Sequence, residues 1–165
     1  LGLEMCKQVP DFDAVVIPVG GGGLIAGAAN AIRQQMPTAE IIGVEPDGAD
    51  TMHRSFASGK PEGIEAVTTI ADSLGAPFAM PYSYALTRAN VDRLALVDDL
   101  ALRRVMGFLF TAMRVAVEPA CVASTAALLG PLRSSLRGKR VLLLMCGSNI
   151  DWATFYRHAI FDDVA

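Results

Sequence analysis

Apolar residues recur along this chain in two rhythms. Short, nearly unbroken runs cover Ala14–Pro18, Ile41–Val44, Arg93–Val97 and Val141–Met145, rich in β-branched residues or leucine and mostly closed by turn formers. Runs of that length and content predict strands of a parallel sheet covered on both faces. Between them the apolar positions fall three and four apart, the spacing of one helix face. Leu24–Gln35 begins small and apolar, turns polar, and stops before Pro37. Asp98–Arg114 opens on two aspartates, suited to the positive end of a helix, and carries Leu102, Val105, Met106, Leu109, Phe110 and Met113 on one stripe. Pro119 predicts a helix start, with the helix running to Leu129, and Asp151–His158 predicts a short final helix. The section from Gly48 to Tyr84 is weakly periodic and rich in Gly, Pro, Ser and Thr, which predicts loops with short helices. Strands alternating with helices imply an α/β fold, a parallel sheet flanked by helices.

Length and composition narrow this picture. A chain of 165 residues suffices for one domain with a real core and is short for two, so residues 1–165 are expected to form a single domain. The net charge of −3 and the lack of any arginine run or basic stripe argue against nucleic acid. Hydrophobic residues make up 52%, yet the apolar runs fall far below the roughly 20 residues of a membrane span. The excess is expected to be buried against a partner subunit, as in a homo-oligomer, or against another part of the same protein. Cys6, Cys121 and Cys146 form no CxxC pair and have no metal-type spacing. With no leader-like start, they suggest a reducing, cytoplasmic setting. The first residues, LGLEMCKQVPDFD, contain no initiator methionine, which suggests a non-native start.

The chemistry concentrates at two strand ends. The first run leads into Gly20-Gly21-Gly22-Gly23 and then opens a helix at Leu24. Glycines allow successive N–H groups to point at one anion, and the helix N-terminus adds its positive dipole. No Gly-Lys-Ser/Thr follows, so this is not a Walker A loop. Gly21, Gly23 and Ala26 satisfy a relaxed dinucleotide fingerprint, with Glu45 after the next strand as the ribose acid. A Gly-rich turn that binds nothing, and a solvated Glu45, are the plain alternatives. The last strand ends LLLMCGSNID, placing Cys146 and Gly147 at the C-terminal rim where parallel α/β proteins bind ligands; a small buried hydrophobe is the competing reading of Cys146. His53 and His158 lack any zinc spacing and read as surface or helix-end residues.

Together, VIPVGGGGLIAG (Val16–Gly27), IGVEPDGAD (Ile42–Asp50), TIADS (Thr69–Ser73), VEPACVAS (Val117–Ser124) and CGSNID (Cys146–Asp151) resemble the fold-type II pyridoxal-phosphate enzymes, in particular the serine/threonine dehydratase and serine racemase group. The resemblance implies an incomplete tryptophan-synthase-β-like architecture. The chain would be its C-terminal, phosphate-binding portion, and the missing N-terminal half would supply the remainder. It implies that Gly20 to Gly23 and the Leu24 amide hold the phosphate of pyridoxal 5′-phosphate, and that Cys146 faces the pyridine nitrogen. A neutral thiol there favours prompt loss of a β-hydroxyl over chemistry that needs a strong electron sink. It implies a structural cation on Glu45, the Ala49 carbonyl and Thr51; a single carboxylate suits a monovalent ion. Glu118 matches a glutamate near the cofactor, or else is an acid at a helix start.

Two departures stand out. Related sequences read Ala-Asp-Gly where this chain has Ala71-Asp72-Ser73, leaving Gly75 as the candidate for close approach to the cofactor. The resemblance places the cofactor-anchoring lysine in the missing N-terminal half, and Lys7, Lys60 and Lys139 read as solvated. No catalytic residue is therefore assigned, and the chain alone is expected to be inactive. The implied reaction converts L-threonine or L-serine to a 2-oxo acid and ammonia, with racemisation, a nucleotide-binding domain and a non-catalytic assembly module as alternatives.

Overall fold

In a computed structural model that describes residues 1–162, the fold grows outward from strand β1 (Ala14–Pro18), which is buried along its whole length. It pairs in parallel with β2 (Glu40–Pro46) on one side and with β4 (Val141–Leu143) on the other, and β3 (Arg93–Val97) pairs in parallel beyond β2. The strand order is β3-β2-β1-β4. Side chains of successive strand residues point to opposite faces. Ala14 and Val16 thus enter one core with Ile42, Val44, Leu102 and Met106, while Val15 and Ile17 enter a second core with Ile25, Ile32 and Met52. This double coverage explains why the central strands β1 and β2 read as unbroken apolar runs, whereas β3 and β4, at the edges, are only partly buried.

Helix α1 (Gly2–Gln8) and α2 (Gly23–Gln35) belong to the second face, with α3 (Thr51–Ser58) and α4 (Pro81–Asn90); α5 (Asp99–Met113), α6 (Ala123–Leu129) and α7 (Trp152–His158) belong to the first. The stripe on α5 is buried from Leu102 to Leu109, but Phe110 is half-buried and Met113, at the last turn, is exposed, because the helix runs out past the core. Asp98 caps α5 by accepting from the Ala101 amide at 2.7 Å. Three boundaries differ from expectation. β2 is longer at both ends, β4 stops at Leu143, and Pro119–Val122 is a 3-10 turn before α6. Helices α1 and α4 leave little trace in the pattern because each buries few apolar side chains: Met5 in α1, and only Thr87 in α4. Arg33, near the end of α2, secures α4 instead, donating to the Asn90 carbonyl at 2.9 Å and to Asp92 at 2.7 Å.

The chain runs from β1 outward to β2 and β3, then crosses back to add β4 on the far edge of β1. Between β1 and β4 the direction of winding reverses, leaving a crevice beyond their C-terminal ends, the place where open α/β sheets bind ligands.

Candidate functional site

Both motifs picked out in the sequence meet at that crevice. Gly20, Gly21, Gly22, Gly23 and Leu24 leave the end of β1, Cys146 lies just past β4, and all line one cavity of about 250 Å³ with Ser73, Glu118 and Ala120. Val19 donates the last ladder bond, to the Val44 carbonyl at 2.8 Å, and Ala26 the first helical one, to the Gly22 carbonyl at 2.9 Å. Among the described residues, the intervening amides of Gly20 through Ile25 donate to no protein acceptor. Six successive N–H groups without a protein acceptor, leading into the positive end of a 13-residue helix, are the donors a candidate anion cradle requires.

The glycines of this loop have different reasons to be glycine. Gly22 has φ +82°, the left-handed region, and a methyl there would lie 2.7 Å from Met52 Cε and 3.1 Å from Ser83 Cβ. Gly20 lies under the turn Asp72–Leu74, where a methyl would come within 3.1 Å of Leu74 Cα. By contrast, a methyl on Gly23 would meet nothing within 4 Å, and one on Gly21 only Ala76 Cβ at 4.0 Å. Packing within the chain does not explain those two bare positions; close approach of a ligand would.

Cys146 is exposed at the rim, not a buried hydrophobe. The partial desolvation of its thiol in the crevice, then the neighbouring Cys121 and Glu118, push it up to about 11, which favours the neutral form. Burial likewise raises the Cys121 thiol. Glu118 holds the N-cap position of the turn Pro119–Val122 without a side-chain capping bond, and it also lines the cavity. Its carboxylate packs on Gly147, where a methyl would collide with Glu118 Oε1. Because the Glu118 carboxylate ends a flexible side chain that can swing aside, Gly147→Ala is expected to cost at most about 1 kcal/mol in urea denaturation, and less on a Glu118→Ala background. Equal losses on both backgrounds would show that the two residues are not in contact.

Ser73 lies on the cavity wall, and its hydroxyl donates no hydrogen bond to the described residues. Gly75 does not replace the expected glycine: it is no part of the wall and packs on Val67, 2.9 Å from where its methyl would be.

The expected cation group sits apart, at the end of β2. Glu45 is fully buried, contrary to a solvated or ribose-binding acid, and accepts from the Met52 amide at 2.8 Å and the His53 amide at 2.7 Å. Burial raises its carboxyl to about 8 against the pull of those two amides, with the charge of Asp50 adding to the rise. Ala49 and Thr51 are also buried, and Thr51 Oγ1 has no hydrogen-bond partner among the described residues. No cluster of three or more His, Cys, Asp or Glu suited to a metal occurs among them. Lys7 is exposed, Lys60 pairs with Glu62 at 3.6 Å and Lys139 with Glu40 at 2.8 Å; none lines the cavity.

The sequence profile of the family described as pyridoxal-phosphate dependent enzyme matches residues 1–147. The chain belongs to that family. It is 52% identical over 158 residues to a phenylserine dehydratase of Ralstonia pickettii, covering 96% of this chain and 48% of that protein. It is 39% identical over 149 residues to an L-threo-3-hydroxyaspartate ammonia-lyase of Saccharomyces cerevisiae, covering 90% of this chain and 45% of that one. The solved structure of processed threonine deaminase isoform 2 from Solanum lycopersicum superimposes with a TM-score of 0.89 at 30% identity, over 94% of this chain and 46% of the other. The chain thus spans about half the length of the relatives it matches. In a pyridoxal-phosphate dependent enzyme, the free amides and bare glycines suit a phosphate monoester, and the neutral Cys146 suits a ring nitrogen. Sequence reasoning missed Ser83 beside the loop, because α4 carries no motif and little periodicity.

Proposed function

We propose that this chain is the C-terminal, cofactor-binding portion of a pyridoxal-phosphate-dependent ammonia-lyase acting on small β-hydroxy amino acids such as L-threonine, L-serine and their β-substituted analogues. The observation that carries this reading is the row of six free amides, Gly20 to Ile25, on the same cavity as a thiol held neutral. The cofactor, when bound, withdraws electrons from the substrate's α-carbon so that its proton is lost and the β-hydroxyl leaves. The chain's own residues supply the setting. Gly20–Leu24 neutralise and orient the phosphate through N–H groups and the dipole of α2. Cys146 offers the ring nitrogen a weak neutral partner, which keeps it from becoming a fixed cation.

Names of the relatives support a β-hydroxy substrate, since phenylserine, 3-hydroxyaspartate and threonine all carry that group. Glu45, the Ala49 carbonyl and Thr51 Oγ1 are proposed to hold a monovalent cation at the foot of α3, where one carboxylate and neutral oxygens match its charge. No helix among the described residues is long and apolar enough to cross a membrane. Trp152, Tyr156 and Phe161 stand exposed, which supports a covering partner, either the remaining half of the enzyme or another copy in a homo-oligomer. The unpaired cysteines fit a reducing compartment such as the cytoplasm.

The complete enzyme, supplied with cofactor, is expected to release ammonia and a 2-oxo acid from at least one of L-threonine, L-serine and L-threo-phenylserine. This chain by itself, reduced with borohydride in the presence of cofactor, is expected to carry no stoichiometric label on Lys7, Lys60 or Lys139. Absence of any oxo acid overturns the lyase assignment. A stoichiometric label on one of the three lysines overturns the division of roles between the halves.

A further inference from the structure

Four consecutive glycines solve one problem and create another. They permit the amides to crowd around an anion, yet glycine loses more conformational freedom on ordering than any other residue. A peptide between two glycines, such as Gly21–Gly22, flips easily, because both flanking dihedrals tolerate either sign. A cradle built from them needs something to hold each peptide plane.

Helix α4 supplies it. Ser83 Oγ lies 2.8 Å from the Gly21 carbonyl oxygen and 3.2 Å from the carbonyl of Met80 in its own helix. The hydroxyl has one proton to donate, and the shorter contact is the one to Gly21. Met80 and Ser83 are three residues apart at the start of α4, whereas Gly21 is 62 positions away in sequence. The peptide group is planar and trans, so its C=O and N–H point in opposite directions. Pinning the Gly21 carbonyl toward α4 therefore turns the Gly22 N–H away from α4. Residues of α4 form no part of the cavity wall, which is made by the loop itself with Ser73, Glu118 and Cys146. The Gly22 carbonyl is held in turn by the Ala26 amide. Gly22 is thus fixed at both ends in its left-handed conformation, next to the helical Gly23, the alternation that makes consecutive N–H groups converge on one anion.

We propose that Ser83 is a positioning residue for the phosphate cradle, holding the Gly21–Gly22 peptide so that the Gly22 amide faces the cofactor's phosphate; this rests on the reading of the loop as that cradle. Ser83 touches the loop and not the cofactor. Its hydroxyl is the one side-chain group among the described residues that hydrogen-bonds the tetraglycine.

The test compares the wild-type chain with Ser83→Ala and Ser83→Thr. Without ligand, the ¹⁵N order parameter at Gly22 is expected to sit near the rigid value of about 0.85 in wild type and to fall below about 0.6 in Ser83→Ala. Threonine, which keeps the hydroxyl, is expected to restore it. With ligand, Ser83→Ala is expected to bind pyridoxal 5′-phosphate about tenfold more weakly, matching one hydrogen bond of about 1.4 kcal/mol. Its affinity for pyridoxal, which lacks the phosphate, is expected to stay unchanged. An unchanged Gly22 order parameter in Ser83→Ala overturns the proposal, as does a threonine variant as mobile as the alanine one. Equal weakening for the two ligands also overturns it, since a general structural role would do that. The two affinities are read on the complete enzyme carrying the same substitutions; a complete enzyme that binds neither ligand ends the cradle reading, while the ligand-free measurement still decides whether Ser83 holds the loop.

Discussion

Gly22→Ala and Gly23→Ala, neighbours in sequence, are expected to fail in opposite ways. Alanine at position 22 must adopt φ near +82°, which costs about 1–2 kcal/mol for a residue with a Cβ. Its methyl would also press on Met52 Cε at 2.7 Å and Ser83 Cβ at 3.1 Å. The methionine tip can swing aside, but the serine Cβ is fixed to α4. The unliganded chain is therefore expected to lose roughly 2–3 kcal/mol, read as a lower midpoint in urea. Alanine at position 23 enters the first turn of α2 with nothing within 4 Å, and alanine is the better helix former. Its stability without ligand is expected to be unchanged or slightly higher. Gly23 lines the cavity, so with the phosphate seated on the loop as proposed the added methyl would crowd it. Affinity for pyridoxal 5′-phosphate is then expected to fall by about ten- to a hundredfold, the cost of about 1–3 kcal/mol of overpacking. A Gly23→Ala chain that binds the cofactor like wild type would show that the loop is not its cradle.

The second large effect belongs to Glu45. Its carboxyl is raised from 4.5 to about 8 by burial, so between those two values the folded chain binds more protons than the unfolded one. Stability is then greatest below about pH 4.5 as far as this group is concerned. It declines as pH rises through that window and is lowest above pH 8. The slope approaches about 1.4 kcal/mol per pH unit where the two states differ by one proton. Denaturant midpoints are expected to fall from pH 5.5 to pH 8.5 in wild type and to be much flatter in Glu45→Gln. A monovalent cation on Glu45, Ala49 and Thr51 would favour the ionised form. Potassium is therefore expected to raise the melting temperature more at pH 8.5 than at pH 5.5. Tetramethylammonium at equal ionic strength, too large for a buried site, is expected to do neither. A wild-type profile as flat as that of Glu45→Gln would refute the buried-acid assignment, and identical melting in the two salts would remove the cation.

Much of the fold was legible because burial on both faces leaves a plain mark. β1 and β3 are where continuous apolar runs place them, and α5 is where its stripe and its two aspartates predict. β4 ends at Leu143, short of the apolar run: the Leu144 amide still donates to the Val16 carbonyl at 3.2 Å, but its carbonyl is taken by the Ser124 hydroxyl and the chain then turns out to the cavity rim. Helices α1 and α4 were missed because Met5 alone, or Thr87 alone, makes no periodic signal. Glu118 shows the same limit at the site. From sequence, an acid before Pro119 is as good a helix-dipole partner as a cavity residue, and only the tertiary structure brings it to the cavity wall beside Gly147.

The tetraglycine between a buried run and a helix marked, by composition and order alone, a candidate anion cradle; its assignment to a pyridoxal-phosphate site came from the resemblance carried by five motifs together. These signals are local, since glycine's backbone freedom and a helix N-terminus need no distant partner. Tertiary structure decided everything that depends on which surfaces meet. It took Glu45 out of solvent and gave it to the amides of α3, it turned Gly75 away from the cavity and left Ser73 on the wall, and it laid Ser83 against Gly21 from 62 residues away. The physical reason is that burial and hydrogen-bond partners across a sheet are set by strand order. In the order β3-β2-β1-β4 the reversal beside β1, more than any motif, puts the two ends of the chain's chemistry in one crevice.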